Sequence, residues 1–264
     1  MNNDDFRYMR RGKQLSGLTS KEMSLLEPVD KRGAGSERAL LLLHGFSSSP
    51  AVYRCLIPQI KHYDAIVCPV LEGHAKSIDA FARSTAKDWR FTANKTCEIL
   101  VNEYNKVDVL GLSLGGLLAC ELSQRFSLNH LFLLAPALKL KMNVAFMLKL
   151  AQILKCLGFY QLRNNAGNLI TNKQAEIAYR KLPVTSIIEM LTLSQEYQWV
   201  PPTCPVDLFL GVHDEVVASA EVEQLFTPLP NAHIHWLKNS AHILPLDNDF
   251  KEIVECINKV NSQR

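Results

Sequence analysis

Six short apolar runs recur along the chain: Ala39 to Leu43, Ala65 to Pro69, Val107 to Leu112, Leu131 to Ala135, Val206 to Gly211 and His233 to Leu237. Each is strand-sized, and the first is apolar at every position instead of at every other one. A strand that is apolar on both faces belongs inside a mostly parallel sheet with helices packed above and below it. Helix-forming segments alternate with the runs, as that architecture requires. Trp89, Ala93, Cys97, Leu100 and Tyr104 share one face of a helix predicted over Thr85 to Tyr104. Further helices are predicted over Pro50 to Tyr63, near Ala220 to Phe226, and from about Asp249. In sheets of this kind, chemistry collects at the carboxyl ends of the strands, and every conspicuous polar motif of this chain falls there.

The third run leads into Gly111-Leu112-Ser113-Leu114-Gly115, and Gly116 to Leu122 then reads as a helix. A serine between glycines at a strand-to-helix corner is a nucleophile elbow. The corner is too tight for Cβ atoms on either side, and it holds the serine in a strained backbone with its hydroxyl presented outward. The N-terminus of the following helix aims its free N–H groups and positive dipole end at the same point. The plain alternative is a glycine-rich turn carrying a surface serine, so the elbow needs partners.

A serine hydroxyl is a weak nucleophile that needs a general base, and the base needs an orienting carboxylate. In this architecture they follow in the chain order serine, acid, histidine. Asp214 lies just past the fifth run and His242 just past the sixth, so both can converge on the elbow. Glu215 is the rival acid, one residue further from its strand. Of the eight histidines, His62, His130, His213, His233 and His235 read as structural or exposed. His44-Gly45-Phe46 ends the first run, where an oxyanion hole draws one N–H donor, here Phe46. The second donor is the N–H of Leu114, the residue after the serine. His44 is then a buried ring that ties the loop together and not a base.

His44-Gly45-Phe46, Gly73-His74, Gly111 to Gly116, Gly211-x-x-Asp214 and Ser240-Ala241-His242 together resemble the α/β-hydrolase family over about residues 39 to 260. More narrowly they resemble small bacterial carboxylesterases and monoacylglycerol lipases. The resemblance implies the α/β-hydrolase fold, a mostly parallel sheet with helices on both faces and an inserted helical cap. It also implies a serine esterase or lipase working through an acyl-enzyme. Two departures stand out: Ala75 and Ala241 occupy positions where the family often has glycine, which bears on loop conformation more than on chemistry.

The 264 residues read as a single domain, with residues 137 to 202 interrupting the alternation as a helical cap. Met142 to Leu157 and Ser186 to Gln198 are amphipathic within it, and we expect a lid over the site; membrane contact is not expected. An apolar lid implies a small-molecule ester with an apolar acyl group as substrate. A net charge of +3 and the absence of a dense Lys/Arg block argue against nucleic acid, and Arg7 to Lys13 reads as a solvated N-terminal arm. Seven scattered cysteines without Cys-x-x-Cys spacing fit buried thiols in a reducing compartment. With no signal-peptide pattern at Met1 and no long apolar stretch, a cytoplasmic protein is expected. No metal-ligand spacing and no phosphate-loop motif occurs, so no metal or other cofactor is implied. Two rival readings remain at this stage: an acyltransferase or thioesterase with the same residues, and a non-catalytic binding protein on the same fold.

Overall fold

The computed structural model describes residues 5–262. The chain begins with β1 (Phe6–Arg10), β2 (Lys13–Gln14) and β3 (Val29–Arg32), then β4 (Arg38–Leu43) and β5 (Ala65–Cys68). Helices α1 (Ile78–Arg83) and α2 (Ala86–Glu103) lead to β6 (Lys106–Leu112), α3 (Leu114–Ser123) and β7 (His130–Leu134). Next come α4 (Val144–Cys156), β8 (Gln161–Arg163), β9 (Glu176–Tyr179), β10 (Lys181–Pro183) and α5 (Val184–Glu196). The chain then returns to β11 (Val206–Gly211), α6 (Ser219–Phe226), β12 (Ala232–Leu237) and α7 (Phe250–Ser262).

Seven strands form the central sheet in the order β12-β11-β7-β6-β4-β5-β3. All neighbours run parallel except β3, which pairs antiparallel with β5 at the edge. The six predicted strands are all present. Their apolar runs divide by alternation between two cores. Leu41, Leu43, Val109, Leu131 and Leu208 pack with α2, α3 and α6 on one face. Leu40, Leu42, Leu110, Phe132 and Phe209 pack with α7 on the other. From β4 the chain steps outward to β5, then crosses back over β4 to β6. That reversal leaves a crevice at the carboxyl ends of β4 and β6, the place where such sheets bind ligands.

Two local readings are corrected, and one strand was not foreseen. Pro50 to Tyr63 is not an α-helix but two 3-10 turns, Pro50–Tyr53 and Ile57–Gln59. Pro58 has no N–H to give to an i−4 carbonyl and its ring crowds the preceding turn, so an α-helix does not run through. The N-terminal arm is not merely solvated: β1 buries Phe6 and Met9 and pairs antiparallel with β9 of the insertion. A local window could not reveal that strand, because its partner lies some 170 residues away. Likewise β3, exposed along most of its length, carries no apolar alternation to announce it.

The insertion contains α4 and α5 packed on each other through Ala151, Val184 and Leu191, with β8, β9 and β10 as short strands between them. Its helices match the two amphipathic segments, and its strands were not foreseen. No helix among the described residues is long and apolar enough to cross a membrane.

Candidate active site

Ser113 occupies the corner between β6 and α3 with φ 54° and ψ −115°, outside the regions an L-residue normally visits. The surroundings hold it there. Its N–H donates to the Leu134 carbonyl (3.0 Å), and its own carbonyl accepts from Gly116, Leu117 and Ala137. The flanking glycines are required by close backbone approach: a Cβ on Gly115 would collide with the Leu43 carbonyl, and one on Gly111 with the backbone of Gly115.

The structure brings together Asp214 and His242, the residues expected to serve as acid and base. His242 Nδ1 lies 2.8 Å from Asp214 Oδ2, and both side chains are buried. The other Asp214 oxygen accepts the N–H groups of Val216 (2.7 Å) and Val217 (2.8 Å), so the carboxylate is fully engaged. Burial by itself would raise the Asp214 pKa. The charge and hydrogen bond of His242, with the two N–H groups, outweigh it and hold the carboxyl below its ordinary value. Burial would likewise lower His242, but the Asp214 carboxylate prevails and raises it, with Glu176 adding to the effect. With the proton on Nδ1, donated to Asp214, the Nε2 lone pair is left available. Glu215, the rival acid, is exposed and accepts a hydrogen bond from Asn168 (3.1 Å) instead.

His44 is buried, and its Nε2 accepts the Leu71 N–H (3.1 Å), which ties the loop after β4 to the loop after β5. Burial drives its pKa down to about 4, so it stays neutral. His74 packs edge-on against it, with ring centroids 5.1 Å apart, in an aromatic cluster with Phe46, Phe81 and Trp89. Ala75, where the family often has glycine, takes a left-handed φ of 54°. Ala241 makes no such demand; its N–H donates to Asp247 (2.8 Å). Of the other histidines, His130 and His235 both bond to Asp207 at the opposite end of the sheet. His62, His213 and His233 are exposed.

Ser113, His242 and Phe46 line one cavity of about 440 Å³ beneath the insertion. Met147, Ile187, Met190 and Leu191 of α4 and α5 form its apolar side. Among the described residues, neither the Phe46 nor the Leu114 N–H has a hydrogen-bond partner. Phe46 lies on the cavity wall, and Leu114 is the first residue of α3.

Sequence reading missed three residues here. Glu176 of β9 lines the cavity with a buried carboxyl that accepts the Gly167 N–H (2.8 Å). Burial raises its pKa against the pull of that bond and of His242. Asn168 Oδ1 accepts the backbone N–H groups of both His242 (3.0 Å) and Glu215 (3.1 Å), bridging the base and acid loops. Asp247 joins Ala241 to Ile170 and Thr171 of the insertion. The only signal was the polar run Asn164-Asn165-Ala166-Gly167-Asn168, which marks a loop and nothing more.

Comparisons with known proteins found relatives with this fold. Over 223 residues, 82% of this chain and 87% of the relative, the chain is 26% identical to a thermostable monoacylglycerol lipase from Bacillus sp. strain H-257. A structure of the metagenome-derived lipolytic enzymes LipS and LipT superposes with a TM-score of 0.76 at 23% identity, covering 90% of this chain and 98% of that one. A soluble variant of the Saccharomyces cerevisiae monoglyceride lipase superposes with a TM-score of 0.72 at 11% identity, covering 89% of this chain and 91% of that one. The sequence pattern of the alpha/beta hydrolase family matches residues 40–255, nearly the whole span of the central sheet and everything inserted in it, and the chain belongs to that family.

Proposed function

We propose that this protein is a serine hydrolase that cleaves carboxylic esters through an acyl-enzyme. The observation that carries the reading is the 2.8 Å Asp214–His242 hydrogen bond beside a strained Ser113, with Ser113 and His242 lining one cavity. In this mechanism His242 Nε2 takes the Ser113 proton as Oγ attacks the acyl carbon. The N–H groups of Phe46 and Leu114 stabilise the oxyanion, and Asp214 stabilises the imidazolium. Collapse expels the alcohol, which receives the proton from His242, and water then releases the acid by the same steps. The relatives named lipases and esterases support this chemistry.

The cavity has an apolar side under α4 and α5 and a polar side containing Glu176, Asn164 and Asn168. An apolar acyl chain fits the first, and hydroxyls of the alcohol part fit the second, as in a monoacylglycerol. The cap acts as a lid that shapes the acyl pocket. Ser113→Ala should cost on the order of 10⁶ in turnover of p-nitrophenyl esters while the fold survives. Activity within tenfold of the parent would refute the assignment.

A further inference from the structure

Arg163 of β8 and Lys181 of β10 stand directly opposite each other on an antiparallel pair. Like charges in that register destabilise a sheet. Arg180, just before β10, and Lys13 of β2 line the same groove, an open concavity of about 680 Å³. Its remaining lining residues are Gln14, Gln161 and Leu162, so no acidic side chain among the described residues faces the four cations. None of the ion pairs among the described residues includes any of them. Arg163 gives one bond to the Gly12 carbonyl (3.3 Å). Asp5, whose carbonyl accepts the Arg180 N–H, uses its carboxylate on the Ile78 N–H (3.0 Å). Three separate parts of the chain therefore bring positive charge to one place, and no ion pair among the described residues compensates it.

The groove adjoins the catalytic cavity. Arg163 lines both, and along β10 Lys181 faces the groove while its neighbour Leu182 faces the cavity. We propose that the groove holds a phosphate carried by the alcohol part of the ester, which makes monoacyl glycerophosphates a substrate class of this site. Two guanidiniums and two ammoniums suit a dianion with three acceptor oxygens better than a single carboxylate. This inference rests on the serine hydrolase reading. Ser113 Oγ forms the new bond to the acyl carbon, the acyl C–O bond breaks, and the glycerophosphate oxygen leaves with the proton from His242. Water then frees the fatty acid, and no phosphate bond changes.

The test compares octanoyl esters of glycerol and of glycerol phosphate, used as monomers at low salt, on the parent and on Lys13→Glu/Lys181→Glu and Arg180→Glu. The parent should show the lower KM for the phosphorylated ester, and the variants should raise that KM at least tenfold while the neutral ester stays within about twofold. Equal KM values in the parent, or variants that move both esters alike or neither, would overturn the proposal. Calorimetry of glycerol phosphate binding to Ser113→Ala separates the two readings. Binding that disappears on charge reversal, with a parent that hydrolyses no ester, supports the groove and refutes the hydrolase. Hydrolysis of the neutral ester without such binding does the reverse. Vesicles of phosphatidylcholine with and without phosphatidylglycerol complete the test. If charge reversal abolishes vesicle binding but leaves the KM for the soluble phosphate ester intact, the groove contacts a membrane surface and the proposal fails.

Discussion

At Ser113 the backbone conformation costs about 1–3 kcal/mol, and it persists because four hydrogen bonds to its own N–H and carbonyl fix it. His242 and Asp214 form a coupled pair in which each holds the other in its charged or chargeable form. The base must be neutral to accept the serine proton. Because Asp214 raises His242, the acidic limb of kcat/KM should be shifted upward from the ordinary imidazole value. Asp214→Asn should cut turnover by about 10⁴ and move that limb to lower pH. A limb that stays in place would show that another group supports the imidazolium. Glu176 carries the opposite linkage. Its folded pKa is raised, so ionising it opposes folding; the penalty is absent at low pH and grows as pH climbs through the carboxylate range. Glu176→Gln keeps an acceptor for the Gly167 N–H. It should raise the thermal midpoint at about pH 8 and leave it nearly unchanged at about pH 4. A loss at about pH 8 that disappears at about pH 4 would mean instead that the carboxylate is needed for folding.

At the level of elements, the cap helices have two faces. Met147, Ile187, Met190 and Leu191 look into the cavity, whereas Phe146, Ile153 and Leu157 of α4 and its C-cap are exposed. The sequence marked Phe146, Leu150 and Ile153 as apolar but could not say which side of the helix faces the site, since that depends on where α5 packs. Each extra pair of methylenes in the acyl chain should lower KM by up to about 15-fold until the pocket fills, at ~0.8 kcal/mol per buried CH₂. Met147→Gln and Met190→Gln should flatten that series and barely alter acetyl esters. A flat series in the parent would show that these helices only pack on the domain. The parallel strands were readable because each is a continuous apolar run, a property of its own residues. The β1–β9 ribbon and the antiparallel β3 were not, because both depend on partners remote in the chain.

Across the whole molecule, the reversal between β4 and β6 sets the crevice, and three loops at strand ends deliver Phe46, Asp214 and His242 to the neighbourhood of Ser113. Those residues were readable because each sits in a short motif at a strand end. Glu176, Asn168 and Asp247 were not, since each matters through a contact that only the folded insertion creates. The insertion is tied to the rest of the chain at several points: the Leu140–Val217 bridge, the Asn168 and Asp247 bonds to loops at the strand ends, and the pairing of β1 with β9. The central claim is that this assembly activates one serine out of the whole chain. Intact mass spectrometry after treatment with a fluorophosphonate tests it most directly. A single adduct is expected, mapped to Ser113 and absent from Ser113→Ala. An unlabelled parent, or an adduct that survives Ser113→Ala, would contradict it.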